Sequence, residues 1–189
     1  AMPLGFLALD FAIYLQHVVS HALPAFWRLH QVHHADLDVD LTTGTRFHPL
    51  EILISALYKE GLVSALGIDA WTVMVFEIVL NLSAVFNHGN LAVPDAIDRW
   101  LRRLIVTPDM HRVHHSVIAA ETNSNFGFFL SVWDRLGGTY RAAPALGQEG
   151  VELGLPGLRD PRRLGLAAIL LMPFRMIVAR SSFARPPKP

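Results

Sequence analysis

The heptapeptide HQVHHAD, residues 30–36, decides how this chain reads. It sets imidazoles at His30, His33 and His34, and the pattern returns as HRVHHS, residues 111–116, with His111, His114 and His115. Residues three and four apart share a helix face, so each triad presents its rings toward one centre. Upstream, His17 and His21 are four apart and stack on one face, with Asp10 and Tyr14 at helical spacing beside them. A single histidine in an apolar stretch is ordinarily a satisfied core or surface residue. Eight in three helical clusters are not, because burying so many uncompensated polar rings is costly. Neutral imidazole is a ligand for late first-row metals. Eight or nine rings exceed what one tetrahedral ion uses, which implies two metal ions.

Composition narrows the setting. Of 189 residues, 52% are hydrophobic and 17% charged, and the mean hydropathy is +0.35, apolar enough to imply a membrane. A net charge of +0 gives no general pull toward nucleic acid, so none is expected as a partner. There is no cysteine. Disulfides, iron–sulfur clusters and thiolate sites are therefore excluded, and any metal must be held by histidine and oxygen ligands. The N-terminal run AMPLGFLALDFAIYLQH lacks a basic start and carries Asp10, unlike a cleavable signal peptide.

The apolar pattern predicts an all-α integral membrane protein. Residues 4–29 read as a long helix broken near Pro24, and residues 31–49 lose periodicity through DLDVDLTTGTRFHP. Residues 50–66 and 70–86 are apolar runs separated by GID. Each approaches the length needed to cross a hydrocarbon core of about 30 Å. A transmembrane hairpin results, returning the loop before Leu50 and the FNHGN segment after Val85 to one side. Lys59 and Glu60 lie inside the first run and Glu77 inside the second, where charges face protein or serve function. Arg99, Arg102, Arg103 and Arg112 make residues 94–112 basic and favour the cytoplasmic side. Residues 121–141 read as loop and short helix under the histidines. Residues 164–180, interrupted by Pro173 and Arg175, read as an interfacial helix, followed by a disordered tail ending ARPPKP.

Five segments together carry a family resemblance: DFAIYLQHVVSHALPAFWRLHQVHHAD (10–36), TGTRFHPLE (43–51), FNHGN (86–90), TPDMHRVHHS (107–116) and NSNFGFFLSVWDRLGGTYR (123–141). In this order and spacing they resemble the fatty acid hydroxylase (sterol desaturase) superfamily of integral-membrane di-metal oxygenases. The resemblance implies a fatty acid hydroxylase-like domain over residues 1–163, with residues 164–189 outside it. It further implies a histidine-rich cap on the cytoplasmic side, holding two iron ions (zinc being a substitute in isolated protein) and using O₂ to hydroxylate or desaturate a lipid such as a sterol, fatty acyl chain or carotenoid. Electrons would come from a cytochrome b5-like protein, ferredoxin or reductase, since the chain carries no redox cofactor motif of its own, and the arginines of 99–112 are the expected docking surface.

Carried over by position, the metal ligands are His17, His21, His30, His33, His34, His88, His111, His114 and His115. His48 and Glu51, within RFHPLE, fall at a position expected to support the site from behind. Asp10, Asn125 and Asp134 lie close to the motifs, and Asp10 and Asp134 are the expected carboxylates to orient ligating rings. A helix cap or surface hydrogen bond is the plainer role for each. Trp27, Phe47, Phe126, Phe128, Phe129 and Trp133 are available to line a lipid channel, although such aromatics more often fill cores. Two departures stand out: Val18 where the family usually has Arg, and Gly137 where it usually has Phe. The family commonly has two or so spans upstream of this point. The competing class is a membrane metal-binding protein without O₂ chemistry, a zinc hydrolase or a metal transporter. Ligands at span ends rather than within spans disfavour transport, and no H-E-x-x-H arrangement supports a hydrolase.

Overall fold

The structure is a computed structural model and describes residues 2–175. It is helical, with two isolated β-bridges and no strand among the described residues. The elements that build the site are α1 (Met2–Ala22), α2 (Pro24–His34), α3 (Pro49–Leu66), α4 (Ala70–His88), α5 (Asp95–Leu101) and α6 (Pro108–His114). Three shorter helices follow, α7 (Ala119–Thr122), α8 (Val132–Gly137) and α9 (Gly147–Gly150), before α10 (Leu166–Arg175).

Local chemistry sets these boundaries. Pro24, Pro49 and Pro108 each open a helix, where the missing N–H is no loss. Pro24 thereby turns the chain between the two histidine-bearing helices α1 and α2. The α3–α4 turn begins with Gly67 in the left-handed region at φ 62°, and Asp69 caps α4 by accepting from Thr72 N at 3.0 Å.

The long helices are apolar outside as well as inside. α1 and α4 are long and apolar enough to cross a membrane. On α1 the exposed residues Leu4, Leu7, Phe11 and Leu15 form a stripe, and on α4 Trp71, Met74, Ile78, Leu82 and Val85 form another. Leu50, Leu53 and Leu57 extend the surface along α3. A continuous apolar face on three helices of this length is a lipid-facing surface, and the chain is a membrane protein. α3 differs from α4 in carrying Glu51, Lys59 and Glu60, so the helices that meet the length and hydropathy of a span are α1 and α4, whereas the sequence pattern favoured the α3–α4 pair.

Interior apolar packing is modest. Leu9, Ile13 and Phe76 form one cluster between α1 and α4, with Phe6, Leu62 and Phe128 against it. Trp27, Val32 and Ala35 form another with Leu155, Leu158 and Met172. Through Met172 and the bond from Arg28 to the Pro173 carbonyl (3.1 Å), α10 is fastened to α2, while Leu166 and Phe174 stay exposed. The expected disordered tail, and the end of the expected 164–180 helix, lie outside the described residues.

Candidate metal centre

Between the two apolar clusters the interior is imidazole. Nine of the ten histidines are buried side by side in two groups. His17 and His21 from α1, His30 and His34 from α2, and His114 from α6 form the first. His33 from α2, His88 at the end of α4, His111 from α6 and His115 just after it form the second. Within each group the potential ligand nitrogens lie within 4.8 Å of one another.

The triads thus do not each converge on one centre, as spacing alone suggested. At about 100° per residue, positions i and i+4 stand about 40° apart on a helix, while i+3 falls about 60° to the other side. His30 and His34 therefore serve the first group and His33 the second. In the later motif His111 and His115 serve the second and His114 the first. Each triad bridges both groups, in opposite senses.

The ring nitrogens stand at metal-ligand separations. His17 Nε2 lies 3.1 Å from His30 Nε2, and His21 Nε2 lies 3.1 Å from His34 Nε2. In the second group His88 Nε2 is 3.0 Å from His111 Nε2 and 3.2 Å from the Nε2 atoms of both His33 and His115. One Nε2 atom cannot hydrogen-bond three others at once. His88 Nδ1 already donates to the Ala84 carbonyl (2.7 Å), which leaves Nε2 a lone pair. With metal–imidazole bonds of about 2.1 Å, ligands at right angles stand about 3 Å apart. Lone pairs crowded this closely fit a shared cation, and the unpartnered, buried Nε2 of His114 points to the same conclusion.

Electrostatics keep these rings in the ligand form. Burial, with neighbouring imidazoles adding to it, holds His33, His34, His111 and His115 well below the usual histidine range. Burial and His30 push His114 down to about 3. All five are neutral at physiological pH.

A second layer fixes ring orientation, chiefly in the first group. His30 Nδ1 bonds Glu51 Oε1 at 2.6 Å, His17 Nδ1 donates to the Phe126 carbonyl at 2.8 Å and His114 Nδ1 to the Ser124 carbonyl at 2.8 Å. Asn123 bonds His21. Donation from Nδ1 fixes the tautomer that leaves Nε2 free to ligate. In the second group only His88 is held this way. Nδ1 of His33, His111 and His115 has no hydrogen-bond partner, and His33 is instead stacked on Phe47 at 4.4 Å.

The supporting residues expected from sequence fall in different places. Glu51 grips His30. His48 lies outside both groups: its Nδ1 caps α3 by accepting from Leu50 N (3.2 Å), and Nε2 bonds the Leu170 carbonyl (3.2 Å). Asp10 bonds Trp133 Nε1 (2.7 Å) and Leu130 N (3.3 Å) rather than an imidazole. Asp134 accepts from Phe126 N (2.7 Å), Gly127 N (2.8 Å) and Thr139 Oγ1 (2.7 Å). It therefore acts on His17 at one remove, through the Phe126 peptide, and burial pushes its carboxyl up to about 6. Asn125, at φ 53°, ties Met110, next to His111, to Arg141 through three bonds of 2.8–2.9 Å. Gly127 is required beside it, because a Cβ there would stand 2.8 Å from Asp134 Oδ2.

The departure at Gly137 also has a physical reason. A Cβ at that position would sit 2.0 Å from the Tyr14 hydroxyl, which bonds Thr139 Oγ1 at 3.1 Å. Tyr14 occupies the space a larger residue would need.

A cavity of about 350 Å³ opens beside the first group, between α1, α3 and α4. His17, His30 and Glu51 line one end, and Ile13, Ile52, Leu80 and Phe128 give it apolar walls. Of the six aromatics considered as channel lining, Phe47 and Phe128 reach it. Trp27 belongs to the α2 core, Phe126 packs among the imidazoles, Phe129 packs on Phe6 and Trp133 on Phe11.

The chain is 27% identical over 185 residues to ornithine lipid hydroxylase OlsE of Rhizobium tropici, covering 98% of this chain and 54% of that protein. It is 27% identical to the alkylglycerol monooxygenase of Homo sapiens (73% of this chain, 30% of that one) and 29% identical to the Delta(7)-sterol 5(6)-desaturase of Eremothecium gossypii (70% and 35%). The chain thus spans about half the length of the first and about a third of the others. No solved structure matches. The Fatty acid hydroxylase family model matches residues 2–139, a stretch that contains all nine clustered histidines and the 123–127 turn behind them. This chain belongs to the fatty acid hydroxylase family.

Proposed function

We propose that this chain is the core of a membrane di-iron oxygenase that hydroxylates or desaturates a lipid. The observation that carries the reading is the arrangement of nine buried imidazoles in two groups, the first of which opens through His17 and His30 into a largely apolar cavity. The relatives' names, an ornithine lipid hydroxylase, an alkylglycerol monooxygenase and a sterol desaturase, support a lipid substrate.

His17, His21, His30, His34 and His114 would hold one ion and His33, His88, His111 and His115 the other. Bound iron would supply O₂ activation and oxidation of an unactivated C–H bond. In a hydroxylation one oxygen atom enters the lipid and the other leaves as water, with two electrons and two protons consumed. The chain's own residues do the rest. Glu51 and the Ser124 and Phe126 carbonyls hold His30, His114 and His17 of the first group in the ligating tautomer, and the cavity walls align a lipid segment beside His17 and His30 while excluding water.

The electrons come from outside, from a cytochrome b5-like protein, ferredoxin or reductase. Arg102 is engaged by Asp98 and the Ala142 carbonyl, and Arg112 by Asn90. Arg99 and Arg103 are exposed and are the proposed docking charges. Arg112 lies within α6 among the ligands, and this basic end of the molecule favours a cytoplasmic cap.

The test is metal content of anaerobically purified protein, followed by incubation with membrane lipids, O₂ and a reducing system. Two irons per chain are expected, together with products that have gained one oxygen or lost two hydrogens. His114→Ala depletes the first group and His33→Ala the second, and each abolishes turnover. Stoichiometric zinc that iron does not displace, or iron-loaded protein without O₂ consumption on any lipid, refutes the oxygenase and favours a zinc-dependent or metal-carrying role.

A further inference from the structure

The far end of the cavity carries an ion pair that the di-metal site does not use. Lys59 Nζ meets Glu77 Oε1 at 2.5 Å, and both residues line the cavity. Lys59 is eight residues before Gly67 and Glu77 eight after Asp69, so the pair links α3 to α4 halfway along the hairpin. Beside it Ser55 Oγ donates to Gln16 Oε1 at 3.2 Å, and Asn81 Nδ2 donates to the Glu77 carbonyl at 2.7 Å. All of these residues line the same cavity.

An ion pair here is a poor way merely to join two helices. A charge at the middle of a span such as α4 is expensive to insert, about 2.5–3.5 kcal/mol on insertion scales, and apolar side chains of similar size often replace such pairs without loss of stability. What the pair adds is a charged donor and a charged acceptor side by side on the cavity wall. An ammonium has three donors and a carboxylate two acceptor oxygens. Lys59 and Glu77 use one N–H and one oxygen on each other.

Resting on the oxygenase reading for the identity of the opposite end, we propose that Lys59 and Glu77 form the seat for a polar group inside a long-chain lipid, one that accepts from Lys59 and donates to Glu77: an amide or a hydroxyl. Lys59 lies eight residues beyond Glu51 on α3, about 12 Å along the helix axis. Glu51 is bonded to the ligand His30. A lipid seated on the pair therefore presents to the metal group a carbon about 12 Å from its polar function. The seat sets substrate class and position of oxidation together.

The test measures binding and needs no turnover. Iron-loaded protein in detergent micelles is equilibrated with three linear probes of equal length, N-octyloctanamide, octyl octanoate and heptadecane, and retained probe is quantified by mass spectrometry against empty micelles. The amide donates and accepts, the ester only accepts and the alkane does neither. The amide is expected to bind about tenfold more tightly than the alkane, with the ester between them. Lys59→Met combined with Glu77→Leu should bring the amide to within about twofold of the alkane and leave the alkane unchanged. Equal binding of amide and alkane by the wild type overturns the proposal, and so does an amide preference that survives in the variant. Parallel loss of all three probes in the variant makes the pair a tie between helices and overturns it as well. Should the variant not fold, the wild-type ratio decides alone. Selective binding without oxidation of any lipid would refute the oxygenase and leave the seat standing.

Discussion

Replacing Glu51 tests the assignment of the first histidine group most directly, because this residue supplies a buried charge to a ring and is not itself one of the clustered ligands. Glu51 Oε1 sits 2.6 Å from His30 Nδ1, and His30 Nε2 faces His17 Nε2 at 3.1 Å. Glu51→Gln keeps an acceptor for the Nδ1 proton and loses its charge, about half the strength of the bond. Glu51→Leu leaves the Nδ1 proton buried without a partner. Loss of such an outer partner typically weakens metal binding 10–100-fold, about 1.4–2.8 kcal/mol. The glutamine variant should fall near the lower figure and the leucine variant near the upper. In the second group His88 is held independently by the Ala84 carbonyl, so its metal should be retained more tightly than the first. Iron binding titrated against a competing chelator separates the two equivalents. Glu51→Leu that binds both irons with wild-type affinity, or that loses both in parallel, would refute the division of the nine histidines.

Three further outcomes rest on the burial of these rings and the turns behind them. In metal-free protein, His33, His34, His111, His114 and His115 resist protonation, with His114 pushed down to about 3. The unfolded chain takes up protons below about pH 6.5 that the folded one refuses, so stability present above that pH is lost on acidification, about 1.4 kcal/mol per ring at pH 5.5. Denaturant titrations of the apo form at pH 7.5 and pH 5.5 should therefore diverge sharply, and coincident curves would contradict the burial of these rings. Asp134→Asn replaces one carboxylate oxygen by NH2 and so turns amide N–H toward either the Phe126 or the Gly127 donor, which bond different oxygens. A loss of about 1–3 kcal/mol in stability is expected, together with weaker metal retention through His17, and calorimetry with metal analysis reads both. Gly137→Ala forces a methyl against the Tyr14 hydroxyl, a cost of about 1–3 kcal/mol. Combined with Tyr14→Phe that cost should shrink, and strict additivity of the two changes would show that the contact is not the reason for glycine at 137.

Much of the fold and of the site could be read from residue spacing. The Pro24 break, the hairpin turn at GID and the order of the histidine motifs recur in the structure within a few residues, because proline, glycine and i,i+4 spacing act locally. The nine clustered histidines are those named from the sequence. What local spacing does not carry is the partition between the groups. His33 and His34 are neighbours in the chain yet face different groups, and only the position of α6 against α2 decides which ring joins which. The carbonyls of Ala84, Ser124 and Phe126 have no sequence signature at all, since every residue owns a carbonyl. The one local cue was the NSNFG run, where Asn125 in a left-handed turn and Gly127 without a Cβ bring two of those carbonyls to the rings. His48, in the RFHPLE motif, serves as a helix cap outside both groups.

The scarcity of ordinary core explains why the metal centre and the fold are one problem. Among the described residues, seven of the twelve largest fully buried side chains are histidines, and Phe76, Phe126, Leu9, Met110 and Leu158 are the remainder. The two apolar clusters flank the imidazoles on opposite sides, one between α1 and α4, the other between α2 and α10. Neither apolar cluster includes a residue of α6; what meets across the middle are histidines, His34 of α2 against His114 of α6 and His33 against His115. Without metal, that middle consists of neutral polar rings whose lone pairs face one another at 3.0–3.3 Å, a repulsive arrangement inside a low-dielectric interior. With metal, the same separations become ligand edges and hold α1, α2, α4 and α6 together. Metal binding is then part of the folding free energy of the cap. Chelation should consequently expose the 111–126 region to proteolysis and hydrogen exchange while α3, whose only contribution to either group is the Glu51 bond to His30, keeps its protection. Uniform protection of the cap before and after chelation would mean that apolar packing alone suffices, and that the imidazoles are guests in a core they did not build.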